Sequence, residues 1–183
     1  MLTIESLACW LVDIPTVRPH KLSMATMGCQ TLMIVRMQCA DGVVGWGEGT
    51  TIGGLSYGAE SPEAMKLAIE TYLSPLLCGQ TFSGVAALAE TMNASVKGNT
   101  FAKSALETAF LDAQGKALGV PVSALLGGAL SERLPVLWTL ASGDVERDLQ
   151  EARKKGDADK INKRQHKLNE AQKELKTLES RDY

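Results

Sequence analysis

The residues whose types first suggest chemistry are Arg18, His20 and Lys21, which place two cations and an imidazole around Pro19. Arginine and lysine bring positive charge and hydrogen-bond donors to anions. An imidazole adds a donor whose charge changes near neutral pH. The segment therefore predicts a loop that binds an anionic ligand. From the residues alone, a polar surface loop without a ligand is the alternative.

A glycine-rich loop with several hydroxyl groups occupies residues 50–58, which read Thr-Thr-Ile-Gly-Gly-Leu-Ser-Tyr-Gly. A loop of this composition can close over a ligand, and a mobile connection between two elements is the alternative. The preceding residues 45–49, Gly-Trp-Gly-Glu-Gly, look at first like a phosphate loop. However, Thr50 and Ile52 stand where the dinucleotide motif requires its third glycine. Residues 45–49 therefore indicate the end of a strand, with Glu48 as a solvated carboxylate.

Nucleophilic and zinc chemistry find little support in the sequence. The four cysteines form no Cys-x-x-Cys pair, and no histidine stands at zinc-site spacing from them. We predict buried, reduced thiols in a cytoplasmic protein. A pairing of Cys29 with Cys39 across two strands stays open, and no Ser-His-Asp arrangement is visible.

Composition limits the classes of partner. The chain has 183 residues, enough for one domain or one domain with a short appendage. Its net charge of −2 argues against a nucleic-acid binder, which usually carries a basic excess. Its apolar stretches are far shorter than the ~20 residues of a membrane span. The N-terminus lacks the pattern of a secretory signal, so we expect a cytoplasmic protein that binds neither nucleic acid nor membrane.

The charge is concentrated at the C-terminal end. Of the last 40 residues, 21 are charged, against 19 of the first 143. Such a segment cannot build a core of its own and should be a solvated helix or disordered. Ile161, Leu168 and Leu175 recur every seven residues, which is a short heptad seam interrupted by Arg164.

The elements that would position the candidate residues are strands followed by helices. Strands are predicted at 3–14, 30–39 and 43–48, with a tight turn at Asp41–Gly42 that makes the last two a hairpin of an antiparallel meander. Helical segments and a last apolar strand follow, with Ser61 and either Asn99 or Thr100 as helix caps. The helices are predicted from Ser61, at 83–95, from Asn99 to Gly119 and at 123–126, and the strand at 134–140. This order is typical of the α+β class.

Taken together, these segments resemble muconate cycloisomerase, the muconate-lactonising branch of the enolase superfamily. The resemblance covers residues 1 to about 153. The matching segments are residues 16–22, 50–55, 57–58, 60–63, 97–104, 111–116, 125–128 and 138–144.

The resemblance implies an α+β capping domain, a three-stranded antiparallel meander with a helix cluster, on a modified (β/α) barrel. The family interconverts cis,cis-muconate and muconolactone in aromatic catabolism, uses Mn²⁺ or Mg²⁺, and often forms homo-octamers. By resemblance, two loops of the cap bind the small dicarboxylate substrate, and they carry His20 and Lys21 in one case and Ile52 and Tyr57 in the other. A dianionic substrate suits the positive charge of the first loop.

The sequence departs from the family after the start of the barrel. A family chain is about twice as long, and its second barrel strand brings a Lys-x-Lys motif. The nearest match, residues 167–169, places Asn169 where the base is needed, and an amide cannot take that proton. We therefore expect no catalytic residue, no metal ligand and no turnover in this chain.

The predicted organisation is a capping domain at 1–133, the start of a truncated barrel at 134–153 and an unrelated charged helical tail at 154–183. An alternative is a non-catalytic module that binds anions or assembles through the heptad tail. A third possibility is an interrupted gene product without function.

Overall fold

The fold is described from a computed structural model, which covers residues 1–21, 26–135, 144–154 and 156, with 162–163, 165–166, 169–170 and 173. The chain divides into two compact units. The first comprises Met1–Pro15 and Cys29–Leu134, and the second comprises Thr16–Gly28 and Pro135–Tyr183. The domain boundaries expected from the sequence, at residues 133 and 153, stay predictions.

An antiparallel sheet forms the N-terminal part of the fold. Its strands are β1 (Leu2–Lys21), β2 (Thr26–Cys39), β3 (Val44–Thr50) and the short β4 (Thr81–Phe82), in the order β3-β2-β1-β4. The hairpin between β2 and β3 turns at Gly42, whose φ of 85° favours glycine. The predicted antiparallel meander is therefore confirmed.

Two details of the sheet differ from the sequence prediction. β1 continues through Pro15 to Lys21, although Pro15 was expected to end it. Proline removes one N–H but keeps an extended φ, so a strand can pass through it where that donor is not needed. The sheet also has a fourth strand, in which Leu2 pairs with Phe82. Two residues are too few to show a periodic pattern.

The helices follow the sheet. They are α1 (Pro62–Ala68), α2 (Ser74–Leu77), α3 (Val85–Ser95), α4 (Thr100–Leu118), α5 (Val122–Leu125) and α6 (Val145–Lys154), with a π turn at Ile69–Leu73 between the first two. The side chain of Ser61 accepts a hydrogen bond from the Ala64 N–H, at 3.2 Å, as a serine N-cap does. Gly119 ends α4 in the left-handed conformation. Both of these helix limits agree with the sequence prediction.

The contact between β3 and α4 is unusually close. The inward positions of β3 are Gly45, Gly47 and Gly49, and an ideal Cβ at Gly47 would lie 2.0 Å from the carbonyl oxygen of Ala105. At Gly45 the same Cβ would lie 2.0 Å from the carbonyl oxygen of Ala109. Two strand residues rise about 6.7 Å and four helix residues about 6.0 Å, so a glycine at every second position can face an alanine at every fourth.

The outer edge of β3 is also tied to α4. The Trp46 N–H donates to Asp112 Oδ2 at 2.8 Å, and Lys116 Nζ donates to the Val44 carbonyl at 2.9 Å. Lys116 and Asp112 form an ion pair at 2.6 Å. One face of α4 therefore packs against the glycines. Asp112 and Lys116 form hydrogen bonds with backbone groups on the side of β3 that does not pair with β2.

The core of the first unit is formed by residues of the sheet and of helices α1 to α4. Its fully buried members include alternate residues of β2, which are Met33, Val35, Met37 and Cys39. Cys9 and Cys39 are buried, Cys78 is partly buried, and Cys29 is exposed, so the prediction of buried thiols was wrong for Cys29. All four cysteines are free, and Cys29 is not paired with Cys39.

Several predictions for the C-terminal part fall outside the described residues. The expected strand at 134–140 is covered only at Leu134 and Pro135, which form no strand. The heptad positions Ile161, Leu168 and Leu175 also lie outside the described part. Among the described helices, none has the length and apolar character needed to cross a membrane.

The first prediction concerns the close contact of β3 with α4. Gly47→Ala should lower the free energy of unfolding by about 3 kcal/mol, because the new methyl group meets backbone atoms that cannot rotate away. Gly28→Ala is the control, since nothing lies within 4 Å of an ideal Cβ there. Urea unfolding followed by circular dichroism gives both values. Equal stability of the two variants would contradict the close contact.

The second prediction concerns thiol reactivity. Burial, assisted by Glu70, raises the pKa of Cys9 to about 11, and burial also raises the pKa of Cys39. Both thiols should therefore be protonated and shielded at pH 8, while the exposed Cys29 reacts. Mass spectrometry after brief alkylation of the native chain should find label on Cys29 long before Cys9 or Cys39. Urea should make all of them react, and early labelling of Cys9 in native protein would be the contrary result.

Candidate functional site

The first predicted substrate-binding segment lies in a strand. Arg18–Lys21 was expected to be a loop, but these residues form the last part of β1. His20 is half-buried there, and Thr16 Oγ1 donates to the Met27 carbonyl of β2 at 3.4 Å. The side chain of Lys21 lies outside the described part of the structure, so its role stays a prediction.

The second predicted segment is a loop, as expected. Residues 51–60, which we call the apolar loop, leave β3 and enter α1 through a short 3₁₀ turn at Gly54–Ser56. Gly53 and Gly54 have φ values of 65° and 62°, a conformation that suits glycine best. These two glycines let the chain reverse within a few residues.

The N-terminal end of the apolar loop is held by hydrogen bonds to β2. Gln30 Nε2 donates to the Thr51 carbonyl at 2.7 Å and also contacts Thr50 Oγ1. Thr50 Oγ1 donates to the Thr31 carbonyl at 2.8 Å. The hydroxyl of the buried Thr51 donates to the Gly54 carbonyl at 2.6 Å, which closes the turn from within.

The C-terminal end of the apolar loop is held by Glu60, which is 8% exposed. Its carboxylate accepts hydrogen bonds from the N–H groups of Phe101 and Ala102, at 3.0 and 3.2 Å. The Thr100 hydroxyl lies 3.3 Å from the same carboxylate. These groups are the first donors of α4, so Glu60 supplies the negative charge that a helix N-terminus favours.

Asn99, one of the two caps expected for α4, occupies the N-cap position with a φ of 51°. Its side chain, however, makes no cap hydrogen bond. Its amide donates instead to the Lys97 carbonyl at 3.0 Å. No local sequence signal could have identified Glu60, because it lies about 40 residues before the helix that it caps.

The apolar loop presents large side chains to solvent. Ile52 is 42% exposed, Tyr57 is 70% exposed, and Leu55 between them is 68% exposed. Its polar backbone ends are satisfied within the protein, and the exposed part is mainly apolar, with the hydroxyls of Ser56 and Tyr57. Such a surface can bind and orient a ligand, but it contains no acid–base pair.

Ile52 and Tyr57 are thus together on one loop of the first unit, while His20 and Lys21 belong to the second unit. That all four residues contact one substrate stays a prediction.

A separate shallow depression of about 440 Å³ lies beside β3. It is lined by Ile34, Trp46, Gly47, Glu48 and Thr108. Glu48 is exposed, as expected, and the rings of Trp10 and Trp46 lie 6.2 Å apart. The lining contains none of the four predicted site residues and only one carboxylate, which is too little for acid–base chemistry by a pair of groups.

A buried cation lies near the start of α4. Lys103 is 5% exposed, and its Nζ donates to Asn93 Oδ1 at 2.9 Å and to the Val96 carbonyl at 2.5 Å. Its hydrogen bonds therefore join α4 to the end of α3, which is a structural role.

The metal implied by the resemblance needs several carboxylate or imidazole ligands. Within the described part of the chain, no three side chains of His, Cys, Asp or Glu come close enough together to hold a metal ion. These residues therefore do not fit Mn²⁺ or Mg²⁺.

Comparison with known proteins gives consistent relationships. Muconate cycloisomerase 1-1 of Acinetobacter lwoffii is 58% identical over 178 residues, covering 96% of this chain and 46% of the relative. Chloromuconate cycloisomerase of Cupriavidus pinatubonensis is 44% identical over 149 residues, covering 81% of this chain and 40% of the relative. The chain therefore spans less than half the length of these curated relatives.

A solved structure gives the same relationship. The muconate lactonizing enzyme from Pseudomonas fluorescens, complexed with muconolactone, superposes with a TM-score of 0.81 at 56% sequence identity. The match covers 84% of this chain and 41% of that one. Its agreement with an enolase-superfamily capping domain confirms the predicted α+β class.

Two family models match different parts of the sequence. The model described as "Protein of unknown function (DUF1090)" matches residues 143–177, which include most of the charged tail. The model described as "Mandelate racemase / muconate lactonizing enzyme, N-terminal domain" matches residues 7–127. Because this second match covers most of the chain, the protein belongs to the mandelate racemase and muconate lactonizing enzyme family and carries its N-terminal domain.

Proposed function

We propose that this chain acts as the substrate-capping domain of a muconate cycloisomerase and that it binds a small dicarboxylate of the muconate class. The observation that carries the proposal is the 58% identity to Muconate cycloisomerase 1-1 over 96% of this chain. The apolar loop supports it, because Ile52 and Tyr57 are held at the surface by a loop with fixed ends.

The four site residues would divide the work of binding. Lys21 would attract the carboxylates of the substrate through its positive charge, and His20 would add a hydrogen-bond donor. Ile52 and Tyr57 would cover the carbon chain of the substrate and exclude water, and the Tyr57 hydroxyl would add one hydrogen bond.

Binding by these residues does not supply the chemistry of the isomerisation. The divalent metal of the family, when bound, stabilises an enolate-like intermediate, but the described residues do not fit it. The nearest match to the family's base motif has Asn169 in place of the lysine. The 183-residue chain should therefore bind its ligand without converting it.

Location and assembly are part of the same proposal. All four cysteines are free thiols, which is the usual state in a reducing compartment, so we place the protein in the cytoplasm. By resemblance, proteins of this family often form homo-octamers. This chain would assemble in the same way if the contacts between subunits are made by the capping domain.

The third prediction concerns turnover. The purified 183-residue chain should leave cis,cis-muconate unchanged in the presence of Mn²⁺, because Asn169 stands where the lysine base is needed and the described residues offer no metal site. Ultraviolet absorbance of the substrate measures this directly. A full-length muconate cycloisomerase is the positive control. Mn²⁺-dependent loss of absorbance that EDTA abolishes would contradict the prediction.

The fourth prediction concerns ligand binding. Tyr57→Ala should weaken binding of cis,cis-muconate by on the order of 10-fold, because an aromatic contact with the ligand is lost. Leu55→Ala is the matched control, since Leu55 is equally exposed on the same loop but is not a predicted site residue. Titration followed by NMR chemical shifts gives both affinities. Equal losses, or no binding by the unmodified chain, would contradict the proposed site.

A further inference from the structure

We propose that Glu60 is a positioning residue, whose carboxylate fixes the apolar loop against α4 and so sets the direction in which Ile52 and Tyr57 are presented. The inference deepens the proposed function and rests on it only for the identity of the ligand. Glu60 is buried and lies at the point where the loop enters α1. Its side chain is therefore placed to connect three elements.

Both carboxylate oxygens of Glu60 accept hydrogen bonds from α4, one from the Phe101 N–H and the other from the Ala102 N–H. α1 does not need this carboxylate, because Ser61 caps it. Glu60 therefore acts between the loop and α4.

The apolar loop also packs on the first turn of α4, which contains Phe101. A Cβ built at Gly58 would lie 3.0 Å from the ring of Phe101 and 3.4 Å from the Thr51 methyl group. Phe101 thus meets the loop twice, through its N–H at Glu60 and through its ring at Gly58. A shift of α4 relative to the loop would break both contacts.

The ends of the apolar loop are buried, whereas its middle is exposed. Thr51 and Glu60 are buried and hydrogen-bonded, while Leu55 and Tyr57 are more than two-thirds exposed. The exposed side chains receive little support from packing. The conformation of the loop therefore depends on its ends, and Glu60 is the charged anchor at one of them.

The test measures hydrogen exchange by mass spectrometry in the full chain. Glu60→Ala removes the acceptor of two N–H groups of α4, so amides at 52–59 should exchange faster by on the order of 10-fold, while those of α3 stay unchanged. Glu60→Gln keeps one acceptor oxygen and should restore part of the protection. Glu63→Ala is the matched control, since Glu63 is exposed, lies three residues away and hydrogen-bonds to Ser61 instead.

Two results would overturn the inference. If Phe101 and Ala102 exchange faster while 52–59 do not, Glu60 only caps α4. If 52–59 are no faster in Glu60→Ala than in Glu63→Ala, Glu60 does not hold the loop at all. Should Glu60→Ala fail to fold, Glu60→Gln decides the matter by the same comparison.

Binding of cis,cis-muconate by the same variants separates this inference from the proposed function. With selective loosening of the loop, the affinity of Glu60→Gln should fall while that of Glu63→Ala stays at the level of the unmodified chain. An affinity equal to that of the unmodified chain, despite a loosened loop, would overturn the positioning role. If the unmodified chain binds no muconate, the proposed ligand is wrong, and the exchange comparison alone decides the role of Glu60.

Discussion

The contact between the glycines of β3 and the alanines of α4 is the constraint on which the first unit depends. Backbone atoms of the helix occupy the space where Cβ atoms of Gly45 and Gly47 would stand, so the distance between helix and strand leaves no room for side chains. Because α4 has 19 residues, fixing its middle also fixes both of its ends. Its N-terminus then meets Glu60, and its later turns bring Asp112 and Lys116 to the edge of the sheet.

The candidate site follows from this placement. Because the large apolar side chains of the loop are exposed, their packing contributes little to its stability. The conformation of the loop is therefore stabilised by other contacts. Here the contacts are polar and lie at its ends, where Gln30 donates to the Thr51 carbonyl of the loop and Glu60 accepts from N–H groups of α4. The glycines of β3 fix the position of α4, and α4 in turn holds the loop through Glu60. The surface formed by Ile52 and Tyr57 therefore depends on the position of α4.

Local signals in the sequence predicted most of the elements, and long-range contacts account for what was missed. The turn at Gly42, the Ser61 cap and the end of α4 at Gly119 each depend on neighbours within a few residues. Sequence motifs shared with the family identified Ile52 and Tyr57 as candidate site residues, and both lie on an exposed loop.

The missed features have partners far along the chain. The cap at Glu60 depends on α4, and the fourth strand depends on the pairing of residues 2 and 82. The continuation of β1 beyond Pro15 depends on which N–H groups the sheet requires, and a sequence does not show this before the pairing is known. The sequence argued against a phosphate loop at the Gly-x-Gly-x-Gly run, but the packing role of these glycines depends on their contacts with α4.

The ion pair of Asp112 and Lys116 has a consequence for how copies of this domain can meet. An unprotected border strand invites another chain to extend the sheet, which is a common route to uncontrolled association. Here an amide and a carbonyl on the free side of β3 are already occupied by side chains of the same molecule. A neighbouring chain that added a strand there would first have to displace a charged pair, so the pair disfavours growth of the sheet at this part of β3.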